Sequence, residues 1–130
     1  MDGTAMTVFL DTHAAIFLWE GRRDVWGAAS RDLVESAALQ ISPTVRLELK
    51  FLKEIGRLTV EPDEILGGLG SEWGLVTTSD RIEDVVALAM GLSWTRDPFD
   101  RLIVATADLH RAPLFTRDRL IHEHFSGAVW

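Results

Sequence analysis

The sequence predicts an α/β fold with a central, mainly parallel sheet of about five short strands, covered by helices on both faces. Short apolar or β-prone runs alternate with segments whose apolar residues recur at helical spacing. The first such run, Thr7 to Leu10, is apolar at consecutive positions, which is typical of a central strand buried on both faces. The chain has 130 residues, 47% of them hydrophobic, so we expect one domain spanning residues 1–130.

The first half of the chain contains two of the predicted strands. Residues 1–5 are small and polar, and we expect them to form a frayed N-terminal extension. The helix after the first strand should stop at Gly21, since glycine interrupts helical patterns. Apolar residues then recur at helical spacing: Trp26, Ala29, Leu33 and Ala37. The predicted elements are a strand at 7–10, a helix at 14–19, a helix at 26–37 and a strand at 39–41.

The second half continues the alternation of helices and strands. Two pairs match N-cap and first-turn positions: Ser42-Pro43 and Asp97-Pro98. A further cap is expected at Ser79 or Asp80. The helix that follows should bury four residues: Ile82, Val85, Val86 and Ala89. The predicted elements are helices at 43–55 and 63–73, a strand at 75–77, a helix ending at Gly91, a helix at 99–109, a strand at 114–116, a short helix around 120–121 and an edge strand at 128–130.

The composition excludes several classes of protein. The absence of cysteine excludes disulfides, thiolate catalysis and cysteine-ligated zinc. No apolar stretch approaches the roughly 20 residues of a membrane-spanning helix, and the N-terminus lacks a signal-peptide layout, so we expect a cytoplasmic protein with no membrane association. The net charge of −7 weakens general attraction to nucleic acid. Five arginines are nevertheless expected near the candidate site: Arg96, Arg101, Arg111, Arg117 and Arg119.

Four acidic residues stand far apart in sequence but at comparable places in the predicted fold. Each is predicted to close a short apolar run or to lie in the first turn of a helix, except Glu48, which falls further along its helix: Asp11, Glu48, Asp100 and Asp118. In an α/β sheet, strand ends and helix starts meet at one edge, so these side chains should gather there. Neighbouring carboxylates repel one another unless a divalent cation offsets their charge, and Mg²⁺ or Mn²⁺ prefers oxygen ligands. The pattern therefore predicts a metal-dependent hydrolase, most plausibly one that cuts phosphodiesters.

Each acid also has a purely structural interpretation. Asp11 can cap the following helix, and Glu48 can be an ordinary exposed helical glutamate. Asp97 can cap the helix on whose first turn Asp100 lies, and Asp118 can belong to a turn.

Two threonines and a histidine stand beside the acids in the sequence. Thr12 and Thr116 can orient a carboxylate or a water, or can serve only as strand formers. His13 can touch the site. A histidine zinc site is not expected, because His122 and His124 are two positions apart and do not share a helical face.

Three sequence blocks together resemble a PIN domain of the VapC toxin type: Val8-Phe9-Leu10-Asp11-Thr12-His13, Asp97-Pro98-Phe99-Asp100-Arg101-Leu102-Ile103 and Thr116-Arg117-Asp118. Ser42 followed by Glu48 matches the second block of that family more loosely. The resemblance spans nearly the whole chain. It implies a three-layer α/β/α PIN-like fold and a metal-dependent endoribonuclease that forms the toxic half of a toxin–antitoxin pair.

The same resemblance implies partners and residue roles. It assigns Asp11, Glu48, Asp100 and Asp118 to an acidic site that uses Mg²⁺ or Mn²⁺. It also implies an RNA substrate, a VapB-like antitoxin that covers the active edge, and a homodimer. As a hypothesis, the three aspartates hold the metal and Glu48 ligates it or positions the attacking water, while Arg101 or Arg117 contacts the RNA backbone.

Two other functions remain open at this point. The same acids would serve a housekeeping RNA-processing or DNA-cleaving nuclease. Alternatively, the chain could be a catalytically inert module that binds a protein through its early helices, which carry Trp19 and Trp26. A Rossmann nucleotide-binding protein is disfavoured, because the turn after the first strand is Asp-Thr-His instead of glycine-rich.

Overall fold

A computed structural model describes residues 5–130. It contains one five-stranded sheet in which every pair of neighbouring strands is parallel. The strands are β1 (Thr7–Leu10), β2 (Ala38–Ile41), β3 (Val76–Thr77), β4 (Leu114–Phe115) and β5 (Ala128–Val129), in the spatial order β3-β2-β1-β4-β5. The predicted number of strands and the central position of β1 are confirmed.

Helices connect the strands and cover the sheet, which gives the predicted three-layer α/β/α fold. The helices are α1 (Thr12–Glu20), α2 (Ala28–Leu33), α3 (Pro43–Glu54), α4 (Pro62–Trp73), α5 (Ile82–Ala89), α6 (Pro98–Leu109) and α7 (Arg119–His124), with a 3₁₀ turn at Arg23–Val25. The side chains of β1 explain its position, because Val8, Phe9 and Leu10 are all almost fully buried.

Short capping motifs set where the helices begin and end. Ser42 accepts a hydrogen bond from the backbone N–H of Thr44 at the start of α3, as predicted for a serine before a proline. Gly21 ends α1 with φ at 70°, a left-handed conformation that favours glycine. The predicted extension at residues 1–5 lies outside the described residues, apart from Ala5.

Two helix predictions are wrong in detail. The helix expected over 26–37 is only α2, and the Ser36 hydroxyl instead donates to the carbonyl of Leu33 in a turn, which competes with further helix. Neither Ser79 nor Asp80 caps α5, because Arg81 occupies the N-cap position without a side-chain bond.

The predicted buried face of α5 is also only half right. Val85 and Ala89 pack into a small cluster with Ala105 of α6, whereas Ile82 is 69% exposed and Val86 is 40% exposed. The helix is apolar at most positions, so its sequence permits more than one buried face. Its packing against α6 selects the face.

The parallel topology brings the ends of β1 and β4 together. The backbone N–H of Asp11 donates to the carbonyl of Phe115 at 3.1 Å, which ties the first residue after β1 to the last residue of β4. Thr116, Arg117 and Asp118 therefore leave the sheet next to Asp11. None of the helices between residues 5 and 130 is both long and apolar enough to cross a membrane.

Candidate active site

A pocket of about 280 Å³ opens at the edge of the sheet where β1 and β4 end. It is lined by Asp11, Thr12, His13, Glu48, Asp97, Asp100, Arg117 and Asp118. The structure thus brings the four predicted site acids to one pocket from four separate parts of the chain, together with Asp97.

A larger groove lies between α3 and α4. Its volume is about 440 Å³, and its acids Glu61 and Asp63 are already paired with Lys50 and Arg46. Among residues 5–130, no ion pair of this kind involves an acid of the smaller pocket. We therefore assign the catalytic chemistry to the smaller pocket.

Asp11 lies at the bottom of the pocket and is only 9% exposed. One of its oxygens, Oδ1, accepts a hydrogen bond of 2.8 Å from the backbone N–H of Ala14, so the residue is the N-cap of α1. Burial raises the pKa of its carboxyl, while the Thr116 hydroxyl and the Ala14 N–H partly oppose that rise. The cap bond itself uses only Oδ1.

Asp118 repeats this arrangement at the start of α7. Its Oδ1 accepts from the backbone N–H of Ile121 at 3.0 Å, and its own backbone N–H donates to Thr116 Oγ1 at 3.1 Å. Thr116 is fully buried beneath the pocket. The threonine therefore positions the turn that carries Asp118, in addition to its effect on the pKa of Asp11.

Glu48 reaches the pocket from α3, beside the buried stripe formed by Val45, Leu49 and Leu52. The buried hydroxyl of Thr12 donates a hydrogen bond to Glu48 Oε1, which fixes the carboxylate and leaves Oε2 available. Burial is the main cause that raises the pKa of Glu48, and the negative charges of Asp97 and Asp11 add to it.

Asp100 lies on the first turn of α6, half-buried in the pocket wall. Burial and the neighbouring carboxylates, Asp97 foremost, raise the pKa of Asp100 to about 7. Asp97 is the N-cap of α6, and its Oδ1 accepts from the backbone N–H groups of Phe99 and Asp100 at 2.9 and 3.3 Å. Without a compensating cation, this cluster therefore resists carrying its full negative charge.

The donor chemistry of the pocket fits Mg²⁺ or Mn²⁺, because most of the atoms that could ligate a metal are oxygens, from five carboxylates and the Thr12 hydroxyl, with the imidazole of His13 beside them. The raised pKa values of Asp11, Glu48 and Asp100 also favour a cation site. Repulsion between the carboxylates causes part of each rise, and a bound cation would offset that repulsion. Within residues 5–130, however, no three or more His, Asp and Glu side chains already stand in an arrangement that could hold a metal ion. A bound cation would therefore require the acidic side chains to adjust.

The five arginines expected near the site are placed differently with respect to the pocket. Of the five, only Arg117 lines the pocket. Arg101 instead donates from Nε to the backbone carbonyl of Thr95 at 2.9 Å. Arg111 lies before β4 and lines a separate pocket with Pro113 and Gly127. Asp118 lies after β4, so the strand separates the two residues in space although only seven positions separate them in sequence.

The Thr12 hydroxyl provides a test of how Glu48 is positioned. We expect Thr12→Val to reduce the turnover of the site by about 10- to 100-fold, the usual cost of losing a group that orients a functional carboxylate. Thr12→Ser keeps the hydroxyl and should retain most of the activity. The measurement is kcat for both variants with their melting temperatures. Undiminished kcat in Thr12→Val would show that the hydrogen bond to Glu48 does not matter for turnover.

The fold and the acidic pocket together define a PIN domain. A comparison with protein families matches residues 8–124 to the PIN domain. This match covers most of the 130 residues, and the chain belongs to the PIN domain family. The membership confirms the resemblance carried by the three sequence blocks.

Individual relatives agree with this assignment. The chain is 33% identical over 121 residues to Ribonuclease VapC22 of Mycobacterium tuberculosis, covering 91% of this chain and 92% of the relative. It is similar in fold to VapBC2 from Rickettsia felis bound to a promoter DNA fragment, with a TM-score of 0.64, 18% identity and coverage of 91% and 92%. It is also similar to a toxin–antitoxin complex from Klebsiella pneumoniae, with a TM-score of 0.67, 22% identity and coverage of 95% and 96%.

Proposed function

We propose that the protein is a metal-dependent endoribonuclease and the toxin component of a toxin–antitoxin pair. The observation that carries the proposal is the convergence of Asp11, Glu48, Asp100 and Asp118 on one pocket. The 33% identity to Ribonuclease VapC22 over most of both chains supports RNA as the substrate. The solved VapBC2 and Klebsiella toxin–antitoxin complexes with similar folds support the toxin role.

The roles of the acids follow from which oxygens remain available. Asp11 and Asp118 each use Oδ1 to cap a helix, and each would hold Mg²⁺ or Mn²⁺ with the other oxygen, together with Asp100. When bound, the cation would lower the pKa of a coordinated water and stabilise the charge on the phosphodiester during hydrolysis. Glu48, fixed through Oε1 by Thr12, would accept a hydrogen bond from the attacking water at Oε2.

The proposal extends to partners and compartment. We propose that an antitoxin covers the acidic pocket and that the protein acts in the cytoplasm as a homodimer. Exposed apolar side chains on α5 supply one surface for association: Ile82, Val86 and Met90 are 69%, 40% and 73% exposed. Light scattering of the purified chain would measure the oligomeric state directly.

Metal removal tests the enzymatic part of the proposal. Purified protein incubated with defined single-stranded RNAs should cleave them with Mn²⁺ or Mg²⁺ and lose at least about 100-fold of its activity in EDTA, since the cation supplies several kcal/mol of charge stabilisation. Adding back excess Mn²⁺ should restore cleavage. The expected ends are 5′-phosphate and 3′-hydroxyl, because water and not the ribose 2′-hydroxyl attacks.

Two results would contradict this chemistry. Undiminished cleavage in EDTA would exclude a metal-dependent route, and recovery of cyclic 2′,3′-phosphate ends would show that the 2′-hydroxyl is the nucleophile. The toxin role has a separate readout, since induced expression should arrest bacterial growth and coexpression of an antitoxin encoded by an adjacent reading frame should relieve the arrest. Cleavage without arrest would favour a housekeeping nuclease.

A further inference from the structure

The acidic pocket has an unusual neighbour, which we call the rim: His13, Phe17 and Arg117. We propose that the rim is the subsite for the nucleotide next to the scissile phosphodiester, in which Arg117 binds a phosphate and the exposed ring of His13 stacks on the base. The inference rests on the proposed ribonuclease function and deepens it, because it names how single-stranded RNA is held beside the acids.

The charges that line the pocket favour a separate binding site for the phosphate next to the one that is cleaved. Five carboxylates line the pocket, from Asp11, Glu48, Asp97, Asp100 and Asp118. They repel a phosphodiester anion, and a cation among them compensates only the phosphate that it contacts. Within residues 5–130, Arg117 supplies the one guanidinium of the lining. It is therefore the side chain suited to bind an adjacent phosphate.

Arg117 is held without being neutralised. Although several carboxylates are near, none of the ion pairs found among residues 5–130 uses Arg117. Its guanidinium carbon lies 4.9 Å from the centre of the Phe17 ring, in a cation–π contact. This contact fixes the planar group while leaving its N–H donors for two oxygens of a phosphate.

His13 supplies an exposed ring beside that guanidinium. It is one helical turn before Phe17 on α1, and the two ring centres are 6.4 Å apart with a 45° angle between the planes. His13 lines the pocket and is exposed, so its ring is not part of the core. Proteins that bind single-stranded RNA stack bases on exposed aromatic rings of this kind, including histidine.

Phe17 makes the rim rigid. It is half-buried, packs against the main hydrophobic core, and contacts the ring of Trp130 with the ring centres 6.3 Å apart. Arg117 and His13 therefore flank an aromatic residue that the core holds in place. We treat Phe17 as a positioning residue, whereas His13 and Arg117 touch the substrate.

The chemistry of the rim matches a nucleotide, because Arg117 and the exposed ring of His13 lie side by side at the edge of the pocket. A nucleotide presents an anionic phosphate and an uncharged planar base within one unit, which matches a guanidinium next to an exposed ring. Binding of an antitoxin is the rival outcome of the test below.

The test measures steady-state cleavage of a single-stranded RNA by the full chain with Mn²⁺. His13→Ala should raise KM by about 5- to 100-fold, the effect of removing one stacking partner of a base, and should change kcat much less. His13→Phe should restore KM, because a ring without ionisable nitrogens still stacks. Arg117→Ala should raise KM more than Arg117→Lys. Arg119→Ala is the matched control, since Arg119 is exposed and lies outside the pocket lining.

A substrate series identifies the stacked base. In a set of RNAs that each lack one base, the wild-type chain should show a raised KM for one position adjacent to the cleaved bond. His13→Ala should show no additional penalty at that position, since the contact is already lost. A series in which His13→Ala and wild type respond equally at every position would overturn the inference.

Failure of the inference and failure of the proposed function give different results. If the wild-type chain cleaves RNA and His13→Ala keeps the same KM, the rim is not a nucleotide subsite, while the nuclease function stands. If the rim variants cleave normally but escape inhibition by an antitoxin, the surface binds protein instead. If the wild-type chain cleaves no RNA under any metal condition, the proposed function and the inference both fall.

Discussion

Asp11→Asn should reduce RNA cleavage by at least about 100-fold, since it would remove one charged ligand of the proposed cation. Asparagine also caps helices, so the hydrogen bond to the Ala14 N–H can persist and α1 should keep its start. Burial disfavours the charged form of Asp11, and the neutral amide should therefore not lower the melting temperature. The measurement is kcat/KM alongside thermal unfolding of the same preparation.

The control for this substitution is Asp32→Asn, an exposed aspartate on α2 outside the pocket. It should cleave RNA like the wild type. The two variants should also differ in cells, where induced wild type and Asp32→Asn should arrest growth and Asp11→Asn should not. Equal growth arrest from Asp11→Asn and wild type would favour the inert binding module over the nuclease.

Asp100→Asn should stabilise the metal-free protein at pH 8. The folded-state pKa of Asp100 is raised from 3.8 to about 7, so the folded state binds more protons than the unfolded state between these values. The free energy of unfolding therefore falls as pH rises from about 4 to about 7, and the cost is complete above that range. Asparagine removes this cost. After a discount for the partial exposure of Asp100, we expect a gain of about 1–2 kcal/mol at pH 8.

Denaturant unfolding in EDTA at pH 4 and pH 8 measures this effect. The gain should disappear at pH 4, where Asp100 is protonated in the folded protein. Asp84→Asn is the matched control, because Asp84 is also on a first helical turn, that of α5, but is exposed and outside the pocket. Adding Mn²⁺ should raise the melting temperature of the wild type more than that of Asp100→Asn. A variant less stable than the wild type at pH 8 in EDTA would contradict the assigned cause of the raised pKa.

Strand positions and the caps at Ser42 and Asp97 were predictable because they depend on local sequence, whereas the cap predicted at Ser79 or Asp80 is absent. The apolar run before Asp11 identifies a buried strand, and a second short run before Thr116 identifies its neighbour in the sheet. Parallel strands end at the same edge, which explains why two residues separated by more than one hundred positions could be expected to meet. The pairs Ser42-Pro43 and Asp97-Pro98 likewise mark helix starts through hydrogen bonds that involve near neighbours only.

Other features depend on packing and could not be predicted locally. The sequence of α5 does not reveal that α6 contacts Val85 and Ala89, and leaves Ile82 exposed. Arg111 lies away from the acidic pocket because β4 stands between the two.

The rim was only partly predictable from the sequence. His13 and Phe17 are one turn apart on α1, which is readable from sequence, but the contact of Phe17 with Arg117 exists only because β1 and β4 are neighbours. Glu48 is an intermediate case, since the position of the stripe Val45–Leu49–Leu52 sets its direction, and only the structure shows that Thr12 holds it.

The caps at Asp11 and Asp118 would influence which divalent ion the proposed site prefers. Each of these carboxylates already gives one oxygen to a backbone N–H, and Glu48 gives one to Thr12. Each of these three carboxylates has one oxygen outside these hydrogen bonds, which would favour coordination through a single oxygen. Ca²⁺ prefers six to eight oxygen ligands and accepts carboxylates in pairs of oxygens, whereas Mg²⁺ tolerates few protein ligands and keeps several waters in an octahedral shell. In the proposed metal site, the two caps would therefore favour Mg²⁺ over Ca²⁺.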